Sequence, residues 1–445
     1  MNKDLRSLVL KKIDLKRQEI VDFAVRLVKT PSESGDEGAI QKITEGKLQD
    51  LGLELDVFDI DVELLSKHPG FVPLEDYRLS YEGRPNVVGT LRGCGGGRSL
   101  ILMGHVDTVP VDNRSLWKHG PWDADIEDGK IFGRGALDQK GGVAAQNMAV
   151  ECLFEAGVSL KGDVIVENVI EEESGGNGAT ACAQRGYKAD AGIYTEPSGF
   201  RFLGVSNRGA QFFRIVVPGR ATGIEEKWGS PNAIEKAMRL YNAVDDFSLL
   251  RQSEVVNLPS YELYKFDLDE VEDPATRTRL KTYMANVVPT GVCKIRAGTW
   301  PSSMPDSCVM EGSLECLPGE DIHAVKTRFK EYLQSVAETD DYLEENAPRI
   351  EWFGLWFESC QTDINHPIVK TLQKNCREVV NINPMPAGGG GSDLRCLVKY
   401  ANTPSVVFGG GTGGNAHGID EYLNIESLID STKILALTIL DWCGG

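Results

Sequence analysis

Residues 100–106, LILMGHV, form an almost wholly apolar run that passes straight into GHVDTVP. Read as a strand, such a run has no polar face to offer water, so it belongs in a sheet covered on both sides. Strand-like runs at 86–91, 163–170 and 189–195 surround a helical stretch at 142–156. Alternation of this kind implies an α/β sandwich. A helix is also expected over 34–51: Ser34 and Glu37 match a capping box, Ile40, Ile43, Leu48 and Leu51 form an apolar side, and Gly52 ends it.

From about Arg208 the texture changes. Residues 212–217 are β-rich and 232–244 are helical, followed by a polar stretch. Residues 292–297 and 308–315 read as a strand pair, 322–336 as a helix and 350–355 as a strand. This is the β-α-β-β-α-β order of a ferredoxin-like α+β domain. The acidic stretch 338–346 reads as a loop, and from Pro367 the α/β alternation resumes. The expected organisation is a discontinuous α/β domain, residues 1–207 and 358–445, with an α+β domain inserted at 208–357.

The chain carries 47 Lys and Arg against 66 Asp and Glu, a formal net charge of −19. That field repels nucleic acid and anionic membranes, so neither is expected as a partner. The N-terminal residues lack the apolar core of a signal peptide, and no apolar run approaches the ~18 residues of a membrane span. A cytoplasmic location is the expectation. The 10 Cys are scattered without a CxxC pair, which points to buried thiols rather than a disulfide frame or zinc knuckle.

The chemistry gathers where apolar runs end. His105 and Asp107 lie two apart at the end of one run, on the same side of a strand. A carboxylate there can fix the tautomer of a metal-bound imidazole, although a casual polar pair fits as well. Asp138 stands in GRGALDQKGG, where turn chemistry alone would account for a single Asp. Glu171, Glu172 and Glu173 follow the run 164–170 directly. Adjacent acids repel one another unless cations are near, the alternative being a solvated acidic turn. Glu196 ends another run in YTEPSG, and His417 follows a glycine-rich loop in GGGTGGNAHGIDEY. Together these make a hard N/O donor set suited to zinc, with no cysteine required.

In this order the motifs GHVDTVP, GRGALDQKGG, EEESGG, TEPSG and AHGIDEY resemble the co-catalytic zinc family of acetylornithine deacetylase, succinyl-diaminopimelate desuccinylase, aminoacylase and carboxypeptidase G. The resemblance spans nearly the whole chain. It implies two divalent metal ions, zinc first with cobalt or manganese as alternatives. Asp138 would bridge them, with His105 and Glu196 completing one set of ligands and Glu173 and His417 the other. Glu172 would be the general base and Asp107 would orient His105. A cis peptide between Asp138 and Gln139 is implied as well. In GGGGSDLR, Ser392 and Arg395 fall where the family meets a substrate carboxylate, although a surface salt bridge would also explain Arg395. The inserted domain would act as a lid and as the contact of a homodimer. His68, His119, His323 and His366 have no motif around them, and Trp117 and Trp122 read as packing residues.

The inserted domain departs from the family at two positions. The lid histidine falls on Gly223, and the lid asparagine falls near Ser302. Slow turnover of simple N-acetyl amino acids is therefore expected. The leading expectation is hydrolysis of an amide bond in a small N-acylated substrate, as in acetylornithine deacetylase. A dipeptidase or an aminopyrimidine deformylase of the same family is the alternative, followed by a metal-binding relative with little catalysis. The phosphate-loop signature GxxxxGK[ST] is absent, which argues against nucleotide binding.

Overall fold

The computed structural model describes residues 3–73, 80–268 and 274–445, and divides into two compact units. The first comprises residues up to Ser206, Gln361–Ala387 and Ser392–Gly445; the second comprises Asn207–Cys360 and Gly388–Gly391.

The first unit is built on the expected sheet. Its strands run in the order Glu54–Phe58, Asn86–Leu91, Val164–Val169, Leu100–His105, Ala191–Pro197, Ser405–Gly409, Phe202–Asn207 and Cys360–Gln361, with Met385–Gly389 added on Phe202–Asn207. The four from Val164–Val169 to Ser405–Gly409 are parallel. Val164–Val169 and Leu100–His105 are buried along their whole length, which is why neither shows the polar alternation of a half-exposed strand; Glu167 and Asn168 of the first are enclosed with their apolar neighbours. Helices Gly141–Glu155, Pro367–Val380 and Ile425–Cys443 pack in a chain beside the sheet, joined by Lys3–Leu15 and Arg17–Val28. Gly141–Glu155 begins with a glycine pair because it starts hard against a strand end. A Cβ on Gly142 would collide with the carbonyl of Thr195. No helix among the described residues is long and apolar enough to cross a membrane.

The second unit is an antiparallel sheet ordered Thr290–Ala297, Ser307–Cys316, Gly209–Pro218, Arg349–Phe357. Helices Ala233–Val255 and Ile322–Ala337 pack on it through Phe213, Ile215, Leu240, Phe247, Phe329 and Leu333. The chain order is ferredoxin-like, with an added helix, Pro274–Ala285, in the stretch read as polar. Gly223 and Ser303 pair in a separate two-stranded ribbon, and Ile224 donates its N–H to the carbonyl of Ser302 at 2.9 Å. Both departures from the family therefore lie on one ribbon.

Three local expectations change. The helix expected from Ser34 begins at Gly38, because the Ser34 hydroxyl is taken by Asp107 and the Glu37 carboxylate by Arg84. The helix expected to stop at 244 continues to Val255, with Phe247 and Val255 buried beyond the expected end. The acidic stretch 338–346 holds a short helix, Asp341–Glu345, capped by the side chain of Asp340.

Candidate metal centre

The parallel strands end side by side, and their carboxyl ends carry the acids and imidazoles singled out in the sequence. His105 closes Leu100–His105 and is fully buried. Its Nδ1 lies 3.0 Å from the backbone carbonyl of Asp107 and 3.3 Å from Asp107 Oδ1. Both neighbours accept, so Nδ1 carries a proton, and Nε2 is the nitrogen turned toward the other acids of the cluster. That Nε2 faces Glu196 Oε1 at 3.0 Å and Asp138 Oδ1 at 3.2 Å.

The second imidazole repeats the pattern. His417 Nε2 lies 3.2 Å from Asp138 Oδ2 and 3.1 Å from the Glu173 carboxylate. Each oxygen of Asp138 thus serves a different imidazole. Two donor sets, His105 with Glu196 and His417 with Glu173, share one carboxylate. Ligand atoms of His105, Asp138 and Glu173 all fall within 4.8 Å of one another, as do those of His105, Glu172 and Glu196. The Asp138–Gln139 peptide is cis, as the resemblance implies.

Asp107 organises the cluster from below. It is fully buried and accepts from Ser34 Oγ at 2.7 Å, from the N–H of Glu172 at 3.0 Å and from the N–H of Glu173 at 3.1 Å. One carboxylate therefore sets the tautomer of His105 and the backbone that carries both acids. Glu171 turns that backbone through a left-handed conformation, φ 67°. Such a turn costs a non-glycine residue on the order of 1 kcal/mol. Here the Glu171 carboxylate is anchored by Tyr81 at 2.7 Å, Asn177 at 2.9 Å and Arg84 at 3.2 Å.

Electrostatics bear on whether cations fit. Burial pushes Glu196 up to about 7, and burial with the nearby acids Asp393, Glu196 and Glu173 raises Glu172 well above the usual carboxylate range. Asp138 and Glu173 hold His417 up at about 10. Burial works against a proton on His105, but Asp107, Asp138 and Glu196 outweigh it and hold the imidazole well above its ordinary value. Lone pairs and carboxylates converge with a shortage of positive charge, which the cluster otherwise meets by holding protons. Divalent cations satisfy the same donors without them, and the nitrogen and oxygen set suits zinc, cobalt or manganese.

Arg395 is placed differently from the expectation of substrate contact. Arg395 is fully buried, paired with Asp393 at 3.1 Å and donating to the carbonyl of Gly175 at 2.9 Å. It is neither a surface ion pair nor a group turned toward solvent; it braces the EEESGG turn. Gly176 is left-handed at φ 72°, and a Cβ there would strike the Asp393 carboxylate. Ser392 Oγ accepts from the N–H of Leu394 at 3.4 Å. The remaining residues read as structural do have local partners. His119 stacks on Phe132 at 4.1 Å between Asp125 and Glu127, Arg134 lies over Trp117 at 5.2 Å, and Lys140 lies over Trp122 at 4.8 Å.

Two residues around the cluster are not read from the sequence as part of the site. Ser34 is disguised by its capping-box pattern. Glu421 lies inside AHGIDEY, four positions after His417, and is fully buried against the Asp138 turn. An acid directly before the short strand Tyr422–Asn424 is the one signal that could have drawn attention to it.

Over residues 101–441 the chain matches the profile of peptidase family M20/M25/M40. It belongs to that family. It is accordingly a hydrolase of the M20 group. Among curated proteins it is 28% identical to the N-formyl-4-amino-5-aminomethyl-2-methylpyrimidine deformylase of Bacillus subtilis (strain 168), covering 97% of this chain and 96% of that one. A protein of the same name from Halalkalibacterium halodurans is 26% identical, covering 98% and 97%. Among solved structures, human carnosine dipeptidase 1 shares the fold at a TM-score of 0.74, with 18% identity over 98% of this chain and 99% of that one.

Proposed function

We propose that this M20 hydrolase removes the formyl group from a formylated aminopyrimidine or a small compound of similar shape, using two divalent metal ions. The observation that carries the chemistry is Asp138, whose two oxygens face two imidazoles, each paired with its own carboxylate. The substrate class is supported by the relatives named as formylaminopyrimidine deformylases, which match nearly end to end. That likeness favours deformylation over deacylation of the acetylornithine type.

His105, Glu196 and Asp138 would hold one ion, and Asp138, Glu173 and His417 the other. Bound there, the pair would lower the pKa of water and polarise the amide carbonyl. Glu172, half-buried with its carboxylate grouped beside His105 and Glu196, is the group to take the attacking water's proton and deliver it to the leaving nitrogen. The carbon–nitrogen bond breaks, a carbon–oxygen bond forms, and formate and the free amine leave. Asp107 keeps the His105 Nδ1 proton in place and fixes the N–H groups of Glu172 and Glu173.

The chain would work as a homodimer. In the second unit, strand Thr290–Ala297 ends one side of the sheet and is exposed from Cys293 to Ala297. Open strand edges invite pairing with a second copy. Light scattering reads the dimer, and a monomer at micromolar concentration removes this part of the proposal.

The deciding experiment measures formate or amine release by zinc-loaded protein, repeated with cobalt and manganese. The panel holds a formylated aminomethylpyrimidine, N-formyl, N-acetyl and N-succinyl amino acids, and dipeptides. The formylated pyrimidine should give the highest kcat/KM. Dipeptide hydrolysis of equal or greater efficiency would transfer the site to a peptidase. Metal uptake without turnover of any compound would make the chain a metal-binding relative.

A further inference from the structure

Behind the metal centre lies a buried ion pair that the proposed chemistry does not use. Glu421 is fully buried and Arg134 nearly so. Glu421 Oε1 accepts the N–H groups of Leu137 and Asp138, each at 3.0 Å. Its Oε2 accepts the N–H of Gly135 at 3.0 Å and Nη1 of Arg134 at 2.8 Å. In the tight turn 133–138 the N–H groups of Gly135, Leu137 and Asp138 all go to this carboxylate. Left bare, each would cost about 1–3 kcal/mol, and a single carboxylate satisfies all three.

Arg134 continues the connection outward. Nη1 donates to the carbonyl of Gly418 at 3.1 Å and Nη2 to that of His417 at 3.3 Å. The backbone closes the same link, with the N–H of Gly133 donating to the carbonyl of Glu421 at 2.8 Å. The loop that presents Asp138 and the loop that presents His417 are thus tied by one pair of side chains. His417 itself is in a left-handed conformation at φ 60°, which an unsupported loop would tend to leave.

We propose that the Glu421–Arg134 pair is a positioning device that sets Asp138 against His417 and thereby tunes the affinity of the centre for its metals. This rests on the reading of Asp138 and His417 as ligands. Neither Glu421 nor Arg134 touches the reacting atoms. The two halves of the pair have separable duties. Glu421 governs the shared ligand and so both metals, whereas the Arg134 contacts to the loop carbonyls govern the His417 side alone.

Zinc is titrated by calorimetry into metal-free, full-length wild type, Glu421→Gln, Arg134→Lys and Asp138→Asn, with metal-free unfolding midpoints as the control for folding. In Glu421→Gln the amide NH2 meets the N–H of Gly135 or the guanidinium, and both binding events should weaken by about 10–100-fold. Arg134→Lys keeps the charge beside Glu421 but cannot reach both carbonyls. It should weaken one event by about 10-fold and leave the other within about 2-fold. A merely structural pair would lower the unfolding midpoint without splitting the two events. Wild-type affinity at both events in a folded Arg134→Lys protein overturns the proposal. Failure of both variants to fold overturns it too, since the pair would then serve folding. If Asp138→Asn binds two metals as wild type does, the ligand reading fails instead, independently of Glu421.

Discussion

Ser34 and Asp107, 73 positions apart in the chain, are joined by a 2.7 Å hydrogen bond from Oγ to Oδ2. Asp107 also holds the N–H groups of Glu172 and Glu173 and faces Nδ1 of His105. Removing the hydroxyl leaves one of the two oxygens of this buried carboxylate with a donor fewer. Hydrogen bonds to charged groups contribute about 1.5–3 kcal/mol. Ser34→Ala should therefore lower kcat/KM roughly 10-fold or more at unchanged zinc stoichiometry. Unaltered kinetics would show that Asp107 is held well enough by its backbone donors.

The adjacent acids should separate by function. Glu172→Gln is expected to retain both metals, because its carboxylate belongs to neither of the two sets that share Asp138. It should lose turnover on the order of 10²–10⁴-fold, as when a general base is removed. Glu173→Gln should instead lose one metal, because that carboxylate stands 3.1 Å from His417 Nε2. Elemental analysis and steady-state rates on the same preparations read both. Full activity in Glu172→Gln would reassign the base.

Arg395 supports the fold beside the centre, and its substitution should show as lost stability. Arg395→Ala leaves Asp393 buried without its cation and frees the carbonyl of Gly175. Breaking a buried pair in this way costs about 3–5 kcal/mol. Chemical denaturation should show a correspondingly lower midpoint. An unchanged midpoint with a raised KM would return Arg395 to substrate contact.

Glu167 supplies a pH signature. It is almost fully buried on strand Val164–Val169, neither carboxyl oxygen finds a hydrogen-bond partner among the described residues, and burial pushes its pKa up to about 8. The unfolded chain releases this proton near 4.5, the folded chain only near 8. Between those values the folded state binds more protons, so stability falls as pH rises, by about 1.4 kcal/mol per unit from this group. Glu167→Gln lacks the term. Its stability relative to wild type should therefore grow between pH 5.5 and 7.5. A difference that stays flat across that range would mean that Glu167 remains ionised in the fold.

The apolar runs and the acids and imidazoles that end them are legible in the chain itself. Burial on both faces of a central strand removes the polar alternation, and two-residue spacing puts His105 and Asp107 on one side. The adjacent acids Glu171, Glu172 and Glu173 are legible because like charges at a strand end ask for a cation. Which partner each side chain takes is settled only by folding. Ser34 matches a capping box locally, yet its hydroxyl goes to Asp107. Arg395 fits a substrate carboxylate or a surface ion pair in the sequence, yet it is enclosed with Asp393 behind the EEESGG turn. Glu421 meets the Asp138 turn across 283–286 positions of chain. Local periodicity records which face a residue must bury, because that depends on the rise and turn of its own element. It carries no record of distant partners. Those are chosen when strand ends from different parts of the chain are brought within 3 Å of one another, and each buried polar group takes the complementary group it finds there.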